Sequence, residues 1–218
     1  MHQTSFTFKT EDSYNFDEFI ISKSNLFAHD VITKWPASWG VNPYPKTLIL
    51  KGPPSSGKTF LAKKWANISG AIFLNKDDLL SLDLLSNYPT FIIENFDEYW
   101  HEETVFHYFN AINECGKYLL ITTNQIPNIG LPDLKSRITS LNHINIEKPD
   151  DQMIEALIFK LFSHYSIVVN PEIISFLLKI LSRNCYEVIK SVQDINEYAL
   201  VNKHKITIPL IKKALNII

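Results

Sequence analysis

One segment of the 218-residue sequence, residues 52–59, has the pattern G-x-x-x-x-G-K-[ST]. Its residues are Gly52, Pro53, Pro54, Ser55, Ser56, Gly57, Lys58 and Thr59. An apolar run precedes this loop and an amphipathic stretch follows it, so it lies between a predicted strand and a predicted helix. In such a loop the backbone N–H groups bind phosphate, the lysine contacts the β- and γ-phosphates, and the last hydroxyl ligates Mg²⁺. The pattern predicts a site for ATP or ADP with Mg²⁺, to which Phe60 adds a contact.

A second group of polar residues follows the apolar run 91–93. Glu94 ends this run, where a carboxylate holds the water shell of the metal, so we predict that it is the Mg²⁺ residue. The next residue is Asn95, whose amide can orient the attacking water but cannot accept its proton. We therefore predict slow intrinsic hydrolysis. Asp97 and Glu98 are alternative acids, but we interpret both as solvated loop carboxylates.

Asn124 follows a third apolar run, residues 119–123. In α/β domains with a phosphate-binding loop of this kind, the end of that strand lies beside the γ-phosphate, and a polar side chain there can contact it. The alternative is that Asn124 forms a turn ahead of Pro127. We favour the phosphate contact because Asn124 has the right position relative to the other two motifs.

The elements that position these residues alternate between strand and helix. Five short apolar runs occur, at 47–50, 71–74, 91–93, 118–122 and 143–146. Their continuous apolar character is typical of parallel strands that are buried on both faces, so we predict a three-layer α/β domain. After Lys148-Pro149 the pattern becomes helical only. We predict a tail over 1–12, an α/β nucleotide-binding domain over 13–149 and a small all-helical lid domain over 150–218.

Composition excludes several classes of function. Lys and Arg total 21 against 23 Asp and Glu, a net charge of −2, which argues against tight DNA binding by bulk electrostatics. We expect no direct sequence-specific DNA binding. The two cysteines, Cys115 and Cys185, lie far apart and exclude a zinc site or a disulfide scaffold. The sequence has neither a long apolar run nor a secretory signal, so we expect a cytoplasmic protein without a membrane partner.

Taken together, these motifs resemble the AAA+ ATPases, and within them the DnaA branch. YNFDEF at 14–19 and SKSNLFA at 22–28 are similar to the segment with which DnaA-type proteins wrap the adenine. GLPDLKSR at 130–137 and KITIPLIK at 205–212 are similar to the Hda family of DnaA-related regulators. The resemblance spans nearly the whole chain, and it implies that Phe19 and Asn25 contact the nucleotide.

The resemblance implies a regulator that, with the replicative sliding clamp, promotes hydrolysis of ATP bound to DnaA. In this family the arginine at the position of Arg137 projects towards the nucleotide of a neighbouring subunit. The alternative is a phosphate or carboxylate clasp within the fold. The lid arginine that senses nucleotide aligns with Tyr186, which can stack or hydrogen-bond but carries no charge. Arg183 lies three residues earlier and would reach the same side if the helix began early; we interpret it instead as a solvated residue at a helix start. A homo-oligomer is among the assemblies that the resemblance implies.

Three departures from DnaA initiators favour a regulator over an initiator. The sequence stops at Ile218, so we expect no helix-turn-helix domain for origin DNA. The distance from Thr59 to Glu94 is short, so the initiator's helical insertion for single-stranded DNA is expected to be absent. Asn95 replaces the second acid of the initiators.

Gln3-Thr4-Ser5-Phe6-Thr7-Phe8 resembles the glutamine-led hexapeptide by which bacterial proteins bind the sliding clamp. Phe6 and Phe8 would fill an apolar pocket while Gln3 hydrogen-bonds at its rim. Thr4 departs from the pattern, in which an aliphatic residue is usual. The alternative is an unattached terminus that contains two phenylalanines.

Two other functions fit the nucleotide motifs. A DnaC-like helicase-loading ATPase would need a basic amino-terminal extension, which residues 1–12 do not provide. A free-standing AAA+ ATPase would hydrolyse ATP rapidly without partners.

Overall fold

Five parallel strands form one sheet in the computed structural model, which describes residues 19–37, 39–80, 83–97 and 100–217. The strands are β1 (Thr47–Lys51), β2 (Ile72–Leu74), β3 (Thr90–Ile93), β4 (Tyr118–Thr123) and β5 (Asn142–Asn145). Their order is β2-β3-β4-β1-β5, and every neighbouring pair is parallel. The residues that follow β1, β3 and β4 therefore meet at one edge of the sheet.

Helices alternate with the strands and then continue without them. They are α1 (Leu26–Thr33), α2 (Lys58–Ser69), α3 (Asp83–Asn87), α4 (Glu102–Glu114), α5 (Pro132–Ser140), α6 (Asp151–His164), α7 (Pro171–Ile180), α8 (Cys185–Asn202) and α9 (Ile208–Ala214), with a 3₁₀ turn at Asp78–Leu80. The predicted fold class, a three-layer parallel-sheet domain followed by a small helical lid, is confirmed.

The strands are apolar throughout because both faces of the sheet are covered. In β1, Leu48 and Leu50 pack with the residues of α1 and α2, whereas Ile49 packs in a separate cluster with residues of α4 and α5. Successive side chains of a strand point to opposite faces, so a strand between two helical layers must be apolar at every position. The uninterrupted apolar runs in the sequence have this cause.

Three of the four lid helices start at polar residues whose side chains cap them. The Asp150 carboxylate accepts a hydrogen bond of 2.7 Å from the backbone N–H of Met153 at the start of α6. Asn184 caps α8 and Thr207 caps α9 in the same way. Pro171 occupies the first turn of α7, where its missing N–H costs no helical bond. The four helices enclose a core of their own, which includes Ile154, Leu177 and Val192.

Residues 1–18 lie outside the described part of the chain. Gln3, Phe6 and Phe8 are among them, so the clamp-binding peptide stays a prediction. Within the described ranges no helix is both long and apolar enough to cross a bilayer.

Candidate functional site

The loop of residues 52–59, called here the phosphate loop, connects β1 to α2 at the carboxyl edge of the sheet. A Cβ atom on Gly52 would lie 2.7 Å from the Ser56 hydroxyl oxygen, and one on Gly57 would lie 2.7 Å from the Phe19 ring. Gly57 also has a positive φ of 95°, which favours glycine. Close approach therefore favours glycine at both positions, and backbone shape favours it at Gly57 as well.

The ammonium group of Lys58 lies inside the phosphate loop. Its Nζ is 2.9 Å from the carbonyl oxygens of Gly52 and Pro53 and 2.7 Å from Oδ1 of Asn124. Burial lowers the pKa of Lys58, while the nearby carboxylates of Asp97 and Glu94 act in the opposite direction. These three contacts join the loop after β1 to the residue that follows β4.

Asp97, which the sequence offered only as an alternative acid, is part of this site. One carboxylate oxygen accepts bonds of 3.1 Å from the Thr123 hydroxyl and from the Asn124 backbone N–H, and the other lies 2.6 Å from Nδ2 of Asn124. Burial opposes ionisation of Asp97, but the bonds donated by Asn124 and Thr123 outweigh it and place the pKa below its ordinary value. The interpretation of Asp97 as a solvated loop acid is wrong, and Glu98 lies outside the described residues. Because β3 pairs with β4, an acid just after β3 could have been expected near Asn124.

The orientation of the Asn124 amide follows from its two partners. An ionised carboxylate only accepts hydrogen bonds, so the NH₂ group of Asn124 faces Asp97. An ammonium group only donates, so the amide oxygen faces Lys58. Asp97, Asn124 and Lys58 thus form one continuous chain of hydrogen bonds into the phosphate loop.

Glu94 follows β3 and lies close enough to influence Lys58 electrostatically. Its Oε1 is buried without a hydrogen-bond partner among the described residues, and the same is true of the Ser56 hydroxyl in the phosphate loop. No group of three or more His, Cys, Asp or Glu side chains within the described ranges could hold a metal ion. A single carboxylate, that of Glu94, beside the phosphate loop fits Mg²⁺, which is commonly held by one or two carboxylates together with substrate phosphates and water.

Asn95, the predicted water-orienting residue, has a different environment. It is exposed and adopts a positive φ of 53°. Its backbone N–H donates to the Thr122 hydroxyl, and its carbonyl accepts from the Trp100 indole. The structure thus brings Asp97, rather than Asn95, into contact with Asn124, and the role of Asn95 towards water stays a prediction.

The segment ahead of α1 places an aromatic ring against the phosphate loop. Phe19 stacks on Phe60 with ring centroids 4.5 Å apart and an interplanar angle of 11°. Asn25 departs from the expected nucleotide contact, because its side chain is 1% exposed and no ligand can reach it. Its amide donates to the carbonyl of Ile20 and accepts from the N–H of Ser22. Asn25 therefore shapes the segment that carries Phe19.

A cavity of about 310 Å³ separates the phosphate loop from the start of α8. Pro53 and Pro54 line it on one side, and Arg183, Asn184 and Glu187 are among the lid residues that line it on the other. Tyr186 is 60% exposed and does not line this cavity, so the geometry gives no support to its predicted nucleotide contact.

Arg183 has a structural role within the lid. Its guanidinium pairs with the Asp151 carboxylate and donates to the carbonyl oxygens of Leu178 and Leu181 at 2.9 and 3.0 Å. These contacts tie the end of α7 to the start of α6. The interpretation of Arg183 as a solvated residue is therefore corrected.

Arg137, on α5, is held differently from Arg183. Its guanidinium carbon lies 4.9 Å from the centroid of the Phe106 ring, and one N–H group donates to the Tyr44 hydroxyl at 3.0 Å. Within the described part of the chain no carboxylate lies within ion-pairing distance of Arg137. A guanidinium has five N–H donors, so a single bond to a neutral hydroxyl leaves most of its hydrogen-bonding capacity free, and its charge has no anionic partner in the described chain.

Arg137 is also remote from the phosphate loop of its own chain. Tyr44 precedes the first residue of β1, whereas the loop begins after the last residue of that strand. Five strand residues span roughly 15 Å. The arrangement therefore argues against a contact between Arg137 and a phosphate in its own loop.

Known proteins are similar to this chain in sequence. Residues 150–215 match the family described as "Hda, lid domain". The chromosomal replication initiator protein DnaA of Wolinella succinogenes is 24% identical over 230 residues, covering 93% of this chain and 52% of that protein. The chain spans about half the length of the curated DnaA relatives that it matches, with 52% and 50% covered.

Solved structures share the fold. Domain III of the replication initiation protein DnaA from Thermotoga maritima matches with a TM-score of 0.75 and 15% identity, covering 94% of this chain and 96% of the solved one. The AMPPCP-bound DnaA from Aquifex aeolicus matches with a TM-score of 0.66 and 16% identity, covering 83% of this chain and 64% of the solved one. The motifs, the lid match and the shared fold agree, and together they support a DnaA-branch AAA+ protein related to Hda.

Proposed function

We propose that this protein is a DnaA-related regulator of replication initiation. It binds ATP or ADP in its phosphate loop and, together with the sliding clamp, stimulates hydrolysis of the ATP bound to DnaA. The observation that carries the proposal is the state of Arg137, whose charge is unpaired within the described chain and which is remote from its own phosphate loop. The proposed action on DnaA is supported by the lid match and by the sequence similarity to DnaA.

In this mechanism Arg137 contributes positive charge to a nucleotide that DnaA holds. Charge develops on the phosphoryl group as it is transferred, and a guanidinium stabilises it through planar, paired hydrogen bonds that a lysine cannot reproduce. The four N–H groups not used by Tyr44 are the donors available for this contact. The partner supplies the nucleotide and this chain supplies the cation.

The chain's own site is suited to holding a nucleotide rather than to turning it over. Lys58 and the phosphate loop would bind the phosphates, with Phe19 and Phe60 beside the loop. Glu94 and Thr59 would hold Mg²⁺, which when bound neutralises phosphate charge. Both oxygens of Asp97 are already bonded and its pKa is lowered, so it is a poor general base, which supports slow intrinsic hydrolysis.

The direct test is a hydrolysis assay of DnaA-bound ATP, with the clamp loaded on DNA, in the presence and absence of this protein. We expect stimulation that needs both the clamp and this protein. Rapid ATP hydrolysis by this protein without partners would instead identify a free-standing ATPase and contradict the proposal.

Changing both Phe6 and Phe8 to alanine should abolish co-elution of this protein with the sliding clamp. These rings are the proposed apolar anchors of the peptide, and anchors of this kind dominate small interfaces. Changing Thr4 to leucine, the aliphatic type usual at that position, should strengthen clamp binding instead. Unchanged co-elution of the double alanine variant would rule out the peptide as the clamp contact.

Changing Asp97 to asparagine should lower the free energy of unfolding by about 1–2 kcal/mol, because Asn124 loses a charged acceptor. The same change should weaken nucleotide binding, since Asn124 would no longer hold a fixed orientation towards Lys58. Thermal unfolding and nucleotide titration measure the two effects. Asp77→Asn makes the same charge change at an exposed loop carboxylate, and equal effects of the two variants would contradict the role assigned to Asp97.

A further inference from the structure

A groove at one end of the lid exposes apolar side chains that the described chain leaves uncovered. This lid groove is a cavity of about 880 Å³ between the turn at 166–170, the last turns of α8 and residues 203–207. Val168 is 98% exposed and Leu200 is 68% exposed at its walls. Exposed apolar residues grouped around a concavity are typical of a surface that binds a partner.

The lid groove contains an amide group without a partner. Asn196, on α8, is 8% exposed and lines the groove, and its side chain makes no hydrogen bond within the described chain, although its amide atoms are open to the groove. Its neighbours on the buried side of α8 are the apolar Val192, Ile195 and Ala199. Because these amide atoms are open to the groove and unused by the described chain, a ligand in the groove can hydrogen-bond to them. A side-chain amide offers both a donor and an acceptor, the combination that bonds a peptide backbone.

The charged side chains that line the lid groove are lysines. Lys203, His204 and Lys205 line it, and an adjoining cavity of about 410 Å³ shares His204 and Lys205 and adds Lys213. Neither cavity has an aspartate or a glutamate among its lining residues. A ligand with carboxylates is therefore complementary to this end of the lid.

We propose that the lid groove binds an acidic peptide segment of a partner protein. An apolar side chain of the segment packs between Val168 and Leu200, the Asn196 amide bonds its backbone, and its carboxylates lie beside Lys203 and Lys205. The apolar walls and the unpaired amide favour a peptide over a nucleic acid, whose backbone would need cations only. This inference goes beyond the proposed function and does not depend on Arg137.

The proposal can be tested by fluorescence anisotropy with the whole protein and labelled synthetic peptides. The probe is Glu-Asp-Leu-Phe-Glu-Asp, and the matched control replaces its four acids with lysines. We expect saturable binding of the acidic probe and binding at least 10-fold weaker for the lysine version. Equal binding of the two peptides, or no binding of the acidic probe at millimolar concentration, would overturn the proposal.

Two variants connect the binding to the groove. Lys203→Glu combined with Lys205→Glu should weaken probe binding at least 10-fold, whereas Lys179→Glu combined with Lys190→Glu, exposed lysines elsewhere on the lid, should not. Asn196→Leu should also weaken binding about 10-fold while raising the melting temperature by about 2–4 °C, because an unpaired amide is replaced by an apolar group. An amide needed only for folding would lower the melting temperature instead.

Two competitors identify other occupants. Displacement of the probe by single-stranded oligothymidylate at low micromolar concentration would indicate a nucleic-acid site. Tighter binding by a peptide of residues 1–18 of this chain would indicate an intramolecular occupant. Either result would overturn the proposal of a partner's peptide.

Discussion

Arg137→Ala should reduce the clamp-dependent hydrolysis of DnaA-bound ATP by about 10³-fold or more, the range known for arginines that act in trans. The reduction should occur in the maximal rate of hydrolysis, since the guanidinium acts on charge that appears in the transition state. Folding and nucleotide binding by this chain should be unchanged, because Arg137 makes one hydrogen bond to a neutral hydroxyl and lies far from the phosphate loop. The measurement is single-turnover release of phosphate from DnaA preloaded with labelled ATP.

The matched control for this experiment is Lys135→Ala. Lys135 is an exposed cation on the same helix, so its loss changes the charge of α5 by the same amount. Arg137→Lys keeps the charge but loses the planar fork, and we expect it to recover only a small part of the stimulation. If Arg137→Ala stimulated hydrolysis as well as the unchanged protein, the trans role would be excluded, and the chain would be a nucleotide-binding protein of unassigned activity.

Lys58→Ala should weaken binding of ATP or ADP by about 100-fold or more. A bond between an ammonium group and a charged acceptor contributes about 1.5–3 kcal/mol, and each 1.4 kcal/mol corresponds to a tenfold change in affinity. Two such bonds to the phosphates would account for the effect. Isothermal titration calorimetry measures the affinity, and the rise in melting temperature with added nucleotide provides an independent measurement.

Lys179→Ala, which removes an exposed lysine of the lid, is the control for Lys58→Ala and should bind nucleotide normally. A thermal unfolding curve of the nucleotide-free variant separates loss of binding from loss of folding. Nucleotide affinity that is unchanged in a folded Lys58→Ala protein would show that the loop does not bind phosphate in the proposed way.

Local patterns in the sequence were sufficient to predict the elements of the fold. The alternation of apolar runs with amphipathic stretches gave five strands within one or two residues of those observed, as for 47–50 against Thr47–Lys51. Asp150, Asn184 and Thr207 mark the starts of lid helices because a cap acts on residues two or three positions away. The phosphate loop was predictable because its motif lies within eight consecutive residues, 52–59.

Contacts between distant segments were beyond sequence reasoning. In the sequence, Asp97 has the features of an ordinary loop acid. Only the pairing of β3 with β4 brings Asn124 beside it. Arg183 and Asp151 are far apart in the chain, so their ion pair has no local pattern. Asn25 was predicted to contact the nucleotide, but it is 1% exposed, and the contact of its segment with the lid, where the Ser24 hydroxyl meets Met153, has no local pattern in the sequence.

The three hydrogen bonds of the Lys58 ammonium group determine which ligands this loop can discriminate. A ligand gains from this lysine only the difference between its own bonds and those already made to two carbonyl oxygens and an amide oxygen. A neutral oxygen offers nothing better than the acceptors that it displaces, whereas a phosphate oxygen carries negative charge and forms a stronger bond. Discrimination against uncharged molecules is therefore built into the contacts of Lys58 within the loop.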